Sequence, residues 1–373
     1  TGVQTCALPI SNGRVFLVNP RGIVFGRGSQ VDVGGLVAST LDLSDTDFLA
    51  GAYRFSAGAQ AGALRAEGRI SAPGGTVALV APELAVSGLV EARRVGLAAG
   101  STVQVDVEGD GLVLFNLRND DARAVSLQLS GQVLAAGSAE LRAQARAGVA
   151  GQVLNMDGLV QARGLRQQGG RILIDGGTAG DTLVRGRLDA SGDTGGQVTV
   201  LGQRVALLDA AQVDVSGRQA GGEVQIGGGV HGEGAAHNAE HTVVGAGAEI
   251  RADATEQGAG GRVAVWADRR TDVLGRISAR GGRLGGDGGF VETSGREILH
   301  MPRGSVDVSA PRGRAGQWLL DPYNLTIQDT AGAGGDVLGP SPFTSTGDDG
   351  VLDVHVLRSE ERRVGKECLR LCR

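Results

Sequence analysis

The chain has 373 residues, of which 65 are glycine and nine proline, with 41% hydrophobic and only 3% aromatic residues. So much glycine and so little aromatic bulk exclude a core of layered helices; the absence of a G-X-Y period excludes collagen, and the apolar fraction excludes a disordered chain. A net charge of −5 without a Lys/Arg block in the body gives no nucleic-acid footprint, and no apolar run approaches the ~18 residues of a spanning helix, so the chain is not read as membrane-spanning.

The termini differ from everything between them. Cys6, Cys368 and Cys372 lie in residues 1–10 and 358–373, the latter charged and nearly free of glycine, and the long body has no cysteine. Both segments resemble translated sequencing-adapter sequence and are set aside from fold reasoning. No secretory signal is recognisable at the start.

Residues 12–40 follow. Two short strand-like runs, Arg14 to Val18 and Ile23 to Phe25, flank Asn19-Pro20-Arg21-Gly22. Pro fixes its own φ and Gly supplies a positive φ, so the local chemistry gives a tight reversal, either a hairpin or a coil corner; with the repeats that follow downstream it reads as a corner on the first coils. A third alternating run, Gln30 to Val33, leads into Gly34-Gly35-Leu36-Val37-Ala38-Ser39-Thr40. Leu41 to Ser44 and a strand at Tyr53-Arg54-Phe55 complete the segment 11–60.

From about Gly62 a unit recurs: a short alternating strand, a Gly-Gly corner, a second alternating strand. Leu188-Asp189-Ala190 leads through Gly195-Gly196 into Val198-Thr199-Val200, and Val213-Asp214-Val215 through Gly221-Gly222 into Val224-Gln225-Ile226. Ile250, Ile277 and Val306 head equivalent units. One unit cannot bury its apolar face alone, whereas stacked units make a continuous core. Irregular spacing and two or three strands per unit predict an all-β fold, a right-handed parallel β-helix with Gly-rich corners, over residues 61–327. A propeller would need a more uniform period and four strands per blade. Residues 139–147 carry the best helical pattern, an ambiguous one. Residues 328–357, rich in Gly, Asp, Ser and Pro, read as linker.

Candidate sites are sparse. His231, His237 and His241 share one loop between Gly228 and Ala246, but no cysteine is near and the flanks are glycine- and alanine-rich, so a solvated loop is expected rather than a zinc site. Asp189, Asp214 and Asp307 hold equivalent positions and are expected to form a solvent-facing ladder; Ca²⁺ binding or acid/base chemistry are the alternatives. Gly285-Gly286-Asp287-Gly288-Gly289 lacks the Lys-Ser/Thr of a phosphate loop and reads as a corner. Gly26-Arg27-Gly28 is no dinucleotide fingerprint. Ser39 and Ser294 have no His/Asp order of a triad, and Trp266 and Trp318 read as core or cap fillers. No catalytic residue, cofactor or metal is assigned.

The run Asn12 to Gly26 and the Gly34–Thr40 segment together resemble the secretion domain of filamentous haemagglutinin-type exoproteins, whose pattern is approximately N-G-x-V-x-L-x-N-P-x-G-I-x-F-G followed by G-G-L-x-A-S-T. Gln317-Trp318-Leu319-Leu320-Asp321-Pro322-Tyr323-Asn324-Leu325-Thr326-Ile327 resembles a W-L-L-D-P-x-x-L-T-I segment of the same class. The resemblance implies a secreted bacterial exoprotein of a two-partner secretion system, recognised in the periplasm by an outer-membrane transporter, exported unfolded, and folded outside as a non-enzymatic adhesin. It also implies that Asn19, Pro20, Gly22 and Ile23 serve transporter recognition, with Arg21 standing where the family has Asn, Tyr or His. Residues 11–60 are then the later part of the secretion domain, with a signal peptide and its first part expected upstream. A host or bacterial receptor or glycan is left open. The alternatives are a polysaccharide-active β-helix enzyme, which would want aromatic platforms that a 3% aromatic content does not supply, and a passive stalk.

Overall fold

Valine, isoleucine and leucine at alternate positions, broken by glycine at short intervals, build strands too short to fold alone; each is completed by pairing with its equivalent one coil further on. The computed structural model describes residues 10–58, 61–106, 114–118, 124–144, 152–163, 170–301, 304–321, 325–328, 344–346 and 349–353. The chain forms a parallel β-helix, as the repeats predict, divided into two compact units: residues 1–166, 170–190 and 199–203, and residues 167–169, 191–198 and 204–373. Each coil presents three strand faces.

In the first unit the first face stacks Ile23, Leu64, Leu84, Leu127 and Leu154 in parallel register. The second face stacks Val31, Ile70, Val90, Val133, Val160 and Leu188. On the third, Leu36, Val77, Val95, Ala139 and Ile172 lie over one another, as do Ala38, Leu79, Leu97, Leu141 and Ile174. All these side chains are buried, so the core is a set of columns running from coil to coil, each buried Val or Leu contributing about 1.5–3 kcal/mol. Residues 139–143 belong to the strand Gln132–Ala143; in-register burial of Ala139 and Leu141 overrides their helical propensity.

The second unit repeats the plan. Val213, Ile250, Ile277 and Val306 stack on the second face, and Val224, Val263, Val291 and Trp318 on the third. Two buried threonines of this core each carry a hydrogen-bond partner. Thr242 and Thr271 are fully buried, and their hydroxyls donate to the carbonyls of Trp266 and Ser294, each at 2.7 Å. In the stretch read as linker, Thr344–Thr346 and Asp349–Asp353 pair as antiparallel strands; residues 1–9 and 358–373 lie outside the described residues.

The corners are glycine ladders. In the first unit the carbonyls of Gly68, Gly88, Gly131 and Gly158 accept from the backbone N–H of Leu89, Gln132, Leu159 and Arg187, at 2.9–3.0 Å. In the second, those of Gly196, Gly222, Gly261 and Gly289 accept from Glu223, Arg262, Phe290 and Gln317, each at 2.9 Å. A Cβ on Gly88 would overlap the Gly68 carbonyl, and one on Gly222 the Gly196 carbonyl. The Gly-Gly pairs of the repeat therefore serve close backbone approach. Gly88→Ala should lower stability by about 1–3 kcal/mol, while Gly74→Ala, where a Cβ meets nothing within 4 Å, should stay within about 0.5 kcal/mol; urea unfolding of the two variants checks this.

Candidate functional site

The Asn19–Ile23 reversal is a coil corner and not a hairpin. The strand Ile10–Val18 pairs in parallel with Gln30–Ser39, and the short strand Ile23–Phe25 pairs with Leu64–Ala66 of the next coil. The Asn19 carbonyl accepts from Gly22 N–H at 3.1 Å, and its side-chain Oδ1 accepts from Arg21 N–H at 3.2 Å. Asn first, Pro second and Gly fourth is the residue order such a turn favours. Gly22 has φ 123°, a conformation closed to side-chain-bearing residues. Its neighbours tie the corner to the next coil: Gly62 N–H donates to Pro20 O at 2.8 Å and Ile23 N–H to Ala63 O at 3.1 Å. Ile23 is buried at 6% exposure, Asn19 and Pro20 are half-buried, and Arg21 is exposed. Of this group Arg21 is the exposed side chain, beside Val24 and Leu17, 58% and 40% exposed.

Beside this corner an antiparallel sheet of four strands covers the third face: Asp42–Leu43, Arg54–Ser56, Thr102–Val105 and Phe115–Arg118. The Tyr53–Phe55 strand thus belongs to a cover, outside the coil. Under it lie Val37, Ala78, Val80 and Ala98, all at 0% exposure, against Phe55, Val103 and Phe115. These explain why the coil strands here read as unbroken apolar runs: both sides are buried. At Gly96 a Cβ would strike the Leu114 and Phe115 side chains, so the glycine makes the space the cover fills. Glu140, at 6% exposure, accepts from Leu114 and Phe115 N–H at 2.6 and 3.3 Å, and Arg142 donates to Phe115 O at 2.8 Å and to Asp175 at 3.0 Å. A short helix, Asp45–Leu49, capped by Ser44 whose Oγ accepts from Asp47 N–H, sets Phe48 on Phe16, ring centroids 5.1 Å apart, with Tyr53 on the same ring at 4.9 Å. The Ser-x-x-Asp spacing at 44–47 was the signal for that helix.

Of the three carboxylates expected to face solvent, Asp307 is half-buried and the other two are buried. Asp189 and Asp214 are 2% and 8% exposed. Asp189 accepts from Gln161 at 3.1 Å and Arg187 at 3.3 Å, with Arg163 at 3.6 Å; Asp214 accepts from Arg251 at 3.0 Å and Ser216 N–H at 3.0 Å. Burial demands a paired charge, and guanidinium groups supply it. Asp307 caps Ser309 N–H at 3.0 Å. Asp287 of the glycine-rich corner accepts three hydrogen bonds from Arg314, at 2.7–3.0 Å. Ser39 Oγ caps Leu41 N–H within its own corner, and Trp266 and Trp318 donate to Asp268 and Thr293, at 3.1 and 3.0 Å. Gly28, with φ 79°, turns the chain toward Gln30. The three loop histidines do not converge: His241 lies in the strand His241–Val244, whereas His231 meets Glu292 and Asp321, acids 61 and 90 residues further on that loop reading could not find.

Glu140→Ala would leave two buried N–H groups without their acceptor, lowering stability by about 1–3 kcal/mol and speeding amide exchange at residues 114–117 ahead of the coil strands. Burial raises the Glu140 carboxyl above its ordinary range, more than the Leu114 N–H, the Arg142 charge and the Phe115 N–H lower it. The folded chain therefore holds this proton more tightly than the unfolded one. Its contribution is full below about pH 4 and falls as pH rises through the folded value. Glu140→Gln should flatten that slope in denaturant titrations between pH 4 and 7.

The sequence matches the TPS secretion domain family over residues 10–200. Among solved structures, the HMW1 secretion domain from Haemophilus influenzae superposes with a TM-score of 0.68 at 27% identity, over 83% of this chain and 80% of that one. A search of curated proteins finds no match. With the parallel coils, the Asn-Pro corner and the family match all falling on the same residues, the chain belongs to the TPS secretion domain family, the non-enzymatic secretion domain of exoproteins that an outer-membrane transporter exports.

Proposed function

We propose that this chain is part of an adhesin-class exoprotein whose transporter reads the corner at residues 19–23, and whose coils serve contact with another surface, host or bacterial, without turnover. The observation that carries the recognition reading is the division of labour in the corner. Asn19 spends its carbonyl and side-chain oxygen on the turn, Gly22 supplies the positive φ, and Ile23 anchors in the core. Asn19, Pro20, Gly22 and Ile23 accordingly act on the transporter by fixing the backbone that displays Arg21 and Val24. Among the described residues no helix is long and apolar enough to cross a membrane.

Export of this kind of chain has a physical logic. A coil needs only the preceding coil as template, because each strand pairs with its equivalent in the next coil. Burial of Val, Ile and Leu outside the membrane would oppose return of the exported segment.

Capture on the immobilised periplasmic domains of the cognate transporter tests the recognition reading. Arg21→Ala should weaken capture at least ~5-fold, about 1 kcal/mol, with an unchanged far-UV spectrum. Asn19→Ala should weaken it together with faster amide exchange at Arg21 and Gly22. Capture of both variants at the wild-type level would sink the assignment.

A further inference from the structure

Three segments of the second unit converge on one point. His231 comes from the tight turn Val230–Gly232, Glu292 from the third-face strand Phe290–Gly295, and Asp321 follows the closing strand Gln317–Leu319. Their ligand atoms all lie within 4.8 Å of one another. We propose that His231, Glu292 and Asp321 form a binding site for one divalent first-row transition metal ion of the Zn²⁺ type.

The spacing fits. Zinc takes nitrogen and oxygen ligands at about 2.0–2.2 Å, which sets neighbouring ligand atoms about 3.0–3.6 Å apart around one ion. His231 Nδ1 and Asp321 Oδ2 are 3.1 Å apart. The donor set fits as well: one imidazole and two carboxylates suit Zn²⁺ or a similar ion better than Ca²⁺ or Mg²⁺, which take oxygen alone.

The charge balance asks for a cation. Glu292 is fully buried. Its carboxylate accepts from His231 N–H at 3.0 and 3.2 Å, and a carboxylate oxygen of Asp321 lies within 4.8 Å of its own ligand atom. Where Asp189 and Asp214 are met by arginines, the described groups gathered around Glu292 are the His231 N–H, the His231 imidazole and the Asp321 carboxylate. Two acids converge there on a single imidazole.

The protein also holds the ligands in place. Ser294 Oγ, two residues along the strand from Glu292, accepts from Asp321 N–H at 3.1 Å and so fixes the backbone that carries this acid. His231 has φ 56° and ψ 16°, a left-handed conformation that costs a non-glycine residue energy and needs a local reason. Behind it a Cβ on Gly232 would strike the Trp266 indole, which packs the turn tightly down. Exposures of 49% and 53% for the His231 and Asp321 side chains leave the remaining coordination positions to water. The ion would tie the histidine turn and the closing segment to the coil between them.

The test uses the full chain, stripped with chelator and with its thiols alkylated so that Cys6, Cys368 and Cys372 cannot bind metal. Co²⁺ should bind with one-to-one stoichiometry and give ligand-field absorption bands, Zn²⁺ should displace it, and Zn²⁺ should raise the unfolding temperature. Asp321→Asn, at an exposed position, and His231→Asn, which tolerates the left-handed backbone, should each weaken binding at least ~10-fold and cancel the thermal shift while circular dichroism stays unchanged. No saturable binding, binding unchanged in both variants (an adventitious ion only), or tighter binding of Ca²⁺ than of Zn²⁺ would each overturn the proposal.

Discussion

Everything in this fold depends on how closely the backbone of one coil can approach the next at the corners. Parallel strands stack at about 4.8 Å, and that distance must be kept where the chain turns as well as where it runs straight. At Gly88 and Gly222 the neighbouring carbonyl occupies the space a Cβ would need, so the ladder hydrogen bonds of Leu89 and Glu223 continue through the bend. With the corners in register, the strands on either side are in register too. That is what lines up Val31, Ile70, Val90 and Val133 into one column. The glycine content of the chain is thus a geometric requirement of stacking, and the columns it aligns are built mainly of Val, Ile, Leu and Ala.

The largest fully buried rings lie outside those columns. Phe55 and Phe115 are fully buried, but they sit in the antiparallel cover, outside the coil columns, over a face that offers Ala78, Gly96 and Ala98. Small residues on the outer side of the coil and large ones on the cover make one interface. Glu140 and Arg142 fix the cover's depth by bonding the Leu114 and Phe115 N–H groups and the Phe115 carbonyl.

What the sequence disclosed follows from which interactions are local. The coils were legible because alternation and Gly-Gly pairs, such as Val213–Val215 leading to Gly221-Gly222, are written within a few residues of one another. The corner at Asn19–Gly22 was legible for the same reason, and the parallel pairing of Ile23–Phe25 with Leu64–Ala66 agrees with its reading as a coil corner. Asp189 looked solvent-facing because alternation placed it opposite Leu188. It is buried because Gln161 and Arg163, more than twenty residues earlier, close over it. Glu292 carried still less signal: Glu292-Thr293-Ser294 reads as polar surface, yet the turn around His231 and Asp321 both lie against it. Side chains recruited from distant loops leave no period to read.

The same locality bears on export. A fold whose strand pairs join consecutive coils needs little long-range search, since each new strand closes a loop of one coil onto an edge already formed. Antiparallel additions such as Arg54–Ser56 with Thr102–Val105 break that serial order, because the partner strand arrives two coils later. Until it does, the cover over Val37 and Val80 is incomplete. The first unit therefore closes its outer core only after several coils have emerged, and the coil columns beneath it must be stable enough to wait. The unbroken stacks of buried Leu and Val on all three faces provide that, and the corner that the transporter is proposed to read belongs to the part of the chain that can be complete first.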